Sequence, residues 1–357
     1  MATLLKTREE VLEFRKKLPS HFCPVPFTTI IFEPDGLVGI CRAKGHVFPI
    51  GNLGHGSIRE IWNSPKAVKW REEFLKNEHE ICEYEVQHYL CNHNTQNNDL
   101  LPVIQYESQQ TQPILKMTAN FNGKCNMQCP SCNVWKLPNG LYTEENFWGP
   151  AREELFPNLR QIEMLSGEPF IQTDTFKLMD EMLAINPNCE WNITTNMFWN
   201  LTPKIKDYLD RLKIKNISMS IDSLIPEVYA KLRPPGKLDI ILENVRIFNE
   251  YCKSRPDPFK LSINFVWQRD NFYELGPMIR FCRKNGYELY FPYAYEPLEI
   301  ALIGLPWQQR FEMMMNLVDG LASDELNKAF VAIKPQIHDF PAIEKAQLLD
   351  KITANLK

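Results

Sequence analysis

From Pro113 onward the chain alternates short apolar, β-rich runs with amphipathic stretches, and this alternation limits the fold more than any other feature. The β-rich runs are ILKMTANF (114–121), QIEMLS (161–166), EWNITT (190–195), NISMSID (216–222), KLSINFVW (260–267) and YELYFPY (287–293). Between them EENFWGPAREELF (144–156), TFKLMDEMLAI (175–185), two stretches ending near Lys253 and NFYELGPMIRFCRKN (271–285) read as helices. Gly149-Pro150 is a candidate break in the first of these. Thr202-Pro203 opens a further helix with an N-cap and a first-turn proline. Strands and helices in this order build parallel strands joined by right-handed crossovers. The expected fold class is α/β, a closed or partial (β/α)6 barrel with its site at the C-terminal ends of the strands. An open doubly wound sheet is the rival, but no G-x-G-x-x-G follows any strand.

At 357 residues the chain exceeds the usual single-domain size. Residues 1–92 hold four of the ten cysteines, and 93–113, rich in Asn and Gln, read as a linker. The barrel is expected over 114–305 and a polar helical segment over 306–357. A net charge of -4 argues against a general nucleic-acid binder. The start, MATLLKTREEVLEF, lacks the apolar stretch of a signal peptide, and no run approaches a membrane span. The expected location is the cytoplasm, where thiols stay reduced. Grouped cysteines then point to metal or cluster binding.

The densest group is KCNMQCPSCNVW (124–135), with Cys125, Cys129 and Cys132 at i, i+4 and i+7. That spacing would also line one face of a helix with small apolar side chains. Pro130 opposes a helix by about 3 kcal/mol, and Gly123 and Asn126 add loop character. A loop curling three thiolates toward one point is the preferred reading. Three soft ligands suit zinc or an iron–sulfur cluster. A structural zinc would want a fourth ligand nearby, yet no other His or Cys occurs between 94 and 188. A cubane held by three cysteines leaves one iron open, the mark of a reactive site.

Cys125-x3-Cys129-x2-Cys132 directly after the first strand resembles the radical S-adenosylmethionine (radical SAM) superfamily. The resemblance implies a [4Fe–4S] cluster whose open iron is chelated by SAM. It further implies reductive cleavage of SAM to a 5′-deoxyadenosyl radical that abstracts hydrogen from a substrate. Ser131 departs from the aromatic residue many members carry there. Ser166-Gly167-Glu168-Pro169 is similar to the family's Gly-Gly-Glu-Pro turn, with Ser replacing the first Gly. Thr195-Asn196 ends the third strand and Ser220-x-Asp222 the fourth, at positions the family uses for SAM. Asp222-Ser223 reads equally as a helix N-cap. Arg233, in KLRPPGKLDIILENV, resembles a family segment on the SAM carboxylate side, although most arginines before a loop are exposed. Asn264 on the fifth strand is a weaker candidate.

The first ninety residues resemble the SPASM/twitch domain that holds auxiliary iron–sulfur clusters. The resemblance rests on Gly36-x4-Cys41 after Cys23, on IGNL…SIREIWNS, and on Cys82 and Cys91. It implies one auxiliary cluster ligated by Cys23, Cys41, Cys82 and Cys91. Here the domain precedes the barrel instead of following it, and Glu85 stands where the family has a middle cysteine. A zinc knuckle is the rival for these thiols, but its close Cys-x2-Cys pairs are absent. Cys252 and Cys282 fall on apolar helix faces and read as small core hydrophobes.

The resemblance implies an electron donor such as a flavodoxin or ferredoxin and, from the family's commonest substrates, a peptide or protein. Nucleoside, sugar or RNA modification and glycyl-radical activation stay open. The alternative is a non-catalytic iron–sulfur or zinc-binding protein that recognises a partner through a decayed barrel, a reading prompted by Ser131 and Ser166.

Overall fold

Short β-rich runs become strands wherever alternate side chains can be buried on a half-covered sheet. The computed structural model describes residues 7–20, 22–43, 46–78, 80–82 and 97–356. Among the described residues nine strands are formed: β1 (Thr29–Phe32), β2 (Leu37–Ala43), β3 (His46–Asn52), β4 (Lys116–Ala119), β5 (Gln161–Met164), β6 (Glu190–Thr195), β7 (Lys213–Ser220), β8 (Lys260–Asn264) and β9 (Glu288–Tyr290). The chain divides into two compact units. The first comprises residues 1–124, 136–192 and 207–213, and the second 125–135, 193–206 and 214–357. Strand β6 contributes its first half to one and its second half to the other.

In the first unit neighbouring strands follow the order β3-β2-β1-β4-β5-β6. β2 lies antiparallel to β1 and β3, whereas β1 runs parallel to β4, pairing Thr29 with Lys116 and Phe32 with Ala119. β4 is parallel to β5. The N-terminal segment thus adds a parallel strand beside the first of the expected series. Behind the end of β4 sits an aromatic cluster in which Phe121 packs on Tyr142 and Phe147 at 4.7 Å, and Phe32 packs edge-on to Phe147 at 4.9 Å. Each such pair adds about 0.5–1.5 kcal/mol beyond burial alone. The Tyr142 hydroxyl donates to the Glu33 carbonyl at 2.6 Å, so the cluster also fixes the chain after β1. The stretch expected as helix 144–156 does not break at Gly149-Pro150. It opens with one wide turn, in which the Trp148 amide donates to the Thr143 carbonyl at 3.0 Å, and continues as helix Gly149–Glu154. The wide turn accommodates Pro150, which has no amide to donate.

The second unit has the order β6-β7-β8-β9, with β7, β8 and β9 parallel. Helices Pro226–Leu232, Leu238–Ser254 and Leu275–Asn285 connect these strands. Three more helices, Trp307–Asp319, Ser323–Ile333 and Ala342–Asn355, follow β9. The α/β class expected from the sequence is realised as a mostly parallel sheet. YELYFPY supplies only three strand residues, followed by a lone bridge between Trp267 and Tyr293. Within the expected linker, Asn98–Val103 forms a 3-10 helix that buries Leu100 and Leu101 completely. No helix among the described residues is long and apolar enough to cross a membrane.

Candidate cluster site

The cysteine loop lies in the second unit and is irregular, as Pro130 requires. Residues 129–132 form a turn closed by the Cys132 amide on the Cys129 carbonyl at 3.1 Å, with Pro130 at its second position, where its fixed φ suits a turn. Cys129 is buried, Cys125 half-buried and Cys132 exposed. Two links tie the loop down. The Gln128 amide donates to the Pro234 carbonyl at 2.7 Å, and Asn126 donates through its side chain to the Phe198 carbonyl.

Nitrogen donors surround two of the three sulfurs. The Met127 amide lies 3.4 Å and Asn196 Nδ2 3.7 Å from Cys125 Sγ. Arg233 Nη1 reaches Cys129 Sγ at 4.0 Å. Burial pushes the Cys129 thiol pKa up, Asp222 and Cys132 push it further the same way, and Arg233 opposes them. Such donors favour a thiolate over a thiol, so this loop suits metal-bound sulfur. Among the described residues no three His, Cys, Asp or Glu side chains converge on a single ion. A cubane asks each thiolate to reach a different iron, whereas a structural zinc gathers four ligands on one ion.

The other sequence-selected residues of this unit are already engaged in part. Thr195 Oγ1 accepts from Trp199 Nε1 at 2.6 Å and from the Met197 amide at 3.2 Å. Asn196 Nδ2 also donates to Asn126 Oδ1 at 2.7 Å, and its Oδ1 accepts from the Phe198 amide at 2.7 Å. Ser220 is buried at the end of β7. Asn264 ends β8, and its carbonyl accepts from the Ile221 amide at 3.2 Å. Asp222 caps no helix. It is fully buried, its Oδ1 accepts from the Val266 amide at 2.7 Å, and its Oδ2 lies 2.7 Å from Arg233 Nε. Arg233 is not the exposed arginine its local sequence suggests but is 8% exposed. Asn244, for which the sequence gives no site signal, holds the loop after β6 by donating to the Met197 and Trp199 carbonyls at 2.8 and 3.0 Å. Met197 there adopts a left-handed φ of 60°.

In the first unit the Ser166-Gly167-Glu168 turn ends β5 and packs on residues 122–124. Ser166 Oγ donates to the Asn122 carbonyl at 3.1 Å, and the Glu168 amide to the Lys124 carbonyl at 3.0 Å. Gly167 has a φ of +59°, and a Cβ there would lie 2.3 Å from the Lys124 carbonyl oxygen. Glu168 is fully buried, and its Oε1 accepts from the Phe170 amide at 3.2 Å. Gln172 carried no sequence signal. Its Nε2 is nonetheless 3.1, 2.9 and 3.0 Å from the carbonyls of Asn122, Lys124 and Ser166, pinning the turn to the strand end.

Also in the first unit, Cys23 is buried at the start of a short turn of helix. Cys41 lies opposite Phe48 across β2 and β3. Phe48 packs edge-on to Trp70 at 6.3 Å, and the Trp70 indole donates to Cys82 Sγ at 3.3 Å. Arg71, wholly buried, donates to the carbonyls of Pro26, Trp62 and Ser108 at 2.8, 2.7 and 3.0 Å. It thereby joins the Cys23 turn to the helix carrying Trp70. Cys91 and Glu85 lie outside the described residues.

A thiol-rich loop after β4, a glycine turn after β5 and a second cysteine-bearing segment are thus set in an α/β fold. Residues 119–261 match the radical SAM superfamily, and residues 23–91 match the SPASM iron–sulfur cluster-binding domain. The chain thus carries a radical SAM domain over residues 119–261, and a SPASM domain over residues 23–91 precedes it. Its cofactors are a [4Fe–4S] cluster, SAM and an auxiliary iron–sulfur cluster. Curated relatives include the GTP 3′,8-cyclase of Nautilia profundicola, 27% identical over 185 residues, 48% of this chain and 54% of that protein. The probable GTP 3′,8-cyclase of Methanocaldococcus jannaschii is 24% identical over 178 residues, 48% of this chain and 56% of that protein. The chain therefore spans about half the length of the curated relatives it matches. Among solved structures, Streptococcus suis SuiB bound to S-adenosylmethionine superposes with a TM-score of 0.41 at 14% identity, over 78% of this chain and 64% of that one.

Proposed function

We propose that this protein is a radical SAM enzyme whose catalytic cluster is held by Cys125, Cys129 and Cys132. The observation that carries the reading is the loop itself: three thiols within eight residues, with amide and guanidinium donors aimed at the Cys125 and Cys129 sulfurs. Held by these cysteines, the cluster would supply the electron for reductive cleavage of bound SAM, and SAM would supply the means of abstracting hydrogen from substrate. The chain's own part is to hold, orient and shield. Met127 and Asn196 fix Cys125, while burial keeps water from Cys129. Ser220 and Asn196 are assigned to SAM in the second unit. Thr195 acts there mainly by ordering the loop through Trp199. On motif grounds the Ser166-Gly167-Glu168 turn is assigned to the SAM amino group, Glu168 supplying the opposite charge. Cys23, Cys41, Cys82 and Cys91 are assigned to the auxiliary cluster.

For the substrate we favour a small molecule, in keeping with relatives named as GTP cyclases, over the peptide or protein expected from the family's commonest substrates. The partner in electron transfer is a low-potential donor of the flavodoxin or ferredoxin type. The test is anaerobic reconstitution, reduction with dithionite and measurement of 5′-deoxyadenosine. Product that disappears in Cys125→Ala, Cys129→Ala and Cys132→Ala supports the assignment. A fully loaded, reduced protein that leaves SAM intact supports the non-catalytic alternative. Acceleration of SAM cleavage by a purine nucleotide, but not by peptides, is expected. The reverse pattern would restore the peptide reading.

A further inference from the structure

Arg233 reaches the sulfur of Cys129 while its other side is occupied by an acid. Nη1 lies 4.0 Å from Cys129 Sγ, and Nε lies 2.7 Å from Asp222 Oδ2 in an ion pair that is not an aligned hydrogen bond. Arg233 and Asp222 side chains are 10% and 1% exposed. Asp222 is itself fixed, through Oδ1 by the Val266 amide at 2.7 Å and through its carbonyl by Asn271 Nδ2 at 2.7 Å. The Gln128–Pro234 hydrogen bond, one residue from each partner, sets the separation of sulfur and guanidinium. Beside them the Tyr229 phenol is fully buried and its oxygen has no hydrogen-bond partner among the described residues.

A buried ion pair gives little net stability, because both ions must leave water. Stability alone therefore does not account for a cation directed at a thiol. We propose that Arg233, its charge partly offset by Asp222, raises the reduction potential of the cluster bound through Cys129. The inference rests on the assignment of Cys129 as a ligand. Taking up an electron adds negative charge, and a fixed cation a few ångströms away in low dielectric favours the reduced state. Arginine suits this role because it stays charged when buried and its fork engages two partners at once. Arg233 Nη1 brings the positive member of the pair to 4.0 Å from the sulfur. Removing the acid removes a compensating negative charge.

The test is potentiometric EPR on the intact protein carrying both clusters, following the signal that changes when SAM is added. In Arg233→Gln the reduced-to-oxidised ratio of that signal, at a fixed potential, is expected to fall about tenfold, equivalent to 59 mV for one electron. In Asp222→Asn the ratio is expected to rise. Arg233→Lys, which keeps the charge, should lie between Arg233→Gln and wild type. A residue with only a packing role would not shift the potential in opposite senses. Wild-type potentials in Arg233→Gln and Asp222→Asn with the cluster retained would overturn the inference. If Arg233→Gln does not fold, an unchanged potential in Asp222→Asn would overturn it equally. A SAM-responsive signal that survives Cys129→Ala would instead overturn the ligand assignment beneath it.

Discussion

Replacing Gly167 by alanine makes two demands on the first unit that can be measured separately. The left-handed φ of +59° is unfavourable for an L-residue by about 1–2 kcal/mol. The added Cβ would also sit 2.3 Å from the Lys124 carbonyl oxygen and 2.5 Å from Gln172 Nε2. Neither can yield cheaply, since that carbonyl accepts from the Glu168 amide at 3.0 Å and from Gln172 at 2.9 Å. Displacing two hydrogen bonds in a buried setting adds about 2 kcal/mol. The expected total is about 3–4 kcal/mol. Gly140 supplies the control: its φ is +79°, but a Cβ there meets nothing within 4 Å, so Gly140→Ala should cost only the conformational part. Urea unfolding of both variants, compared at equal m-values, gives the difference. Reasoning from the carbonyl contact predicts that Gly167→Ala is the less stable by about 2 kcal/mol. A gap under about 0.5 kcal/mol would refute it.

Cys282 and Cys189 are pushed up to about 12 by burial, against 9.0 for an open thiol. Folded protein thus holds these protons more tightly than unfolded chain. Their stabilisation is complete below pH 9 and declines as pH rises toward 12, by about 1.4 kcal/mol per unit for each thiol. Urea unfolding at pH 8 and pH 10 should show a smaller alkaline loss in Cys282→Ala than in wild type; equal losses would contradict this. Gln172→Ala frees the Ser166-Gly167-Glu168 turn, and a loss of about 2 kcal/mol is expected from the unfilled carbonyls, read from the same titration. Iron and sulfide analysis should return about eight irons per chain if both sites hold cubanes. Four irons with one zinc would remove the auxiliary cluster alone.

Sequence reading reached the α/β alternation, because TFKLMDEMLAI and EWNITT carry their periodicity locally and form the elements expected of them. The cysteine loop was equally legible, since Pro130 excludes the helical alternative. Pairing of β1 with β4 was not, because TIIF (29–32) is a fully buried strand whose partner is set by tertiary packing. Arg233 reads as an exposed residue, for arginine is seldom buried, and no motif singles out Arg71. Their burial depends on carbonyls or a carboxylate far away in sequence. Gln172 was invisible for the same reason. YELYFPY was overread, as its β-rich composition outruns the three residues that find a partner strand.

The response of the reduced protein's EPR spectrum to SAM tests most directly whether Cys125, Cys129 and Cys132 hold a cluster with one iron open to a ligand. The expected result is a spectrum that changes on SAM addition in wild type and shows no SAM response in Cys129→Ala, the auxiliary signal being unaltered. A protein with its full complement of iron whose spectrum is indifferent to SAM would contradict it.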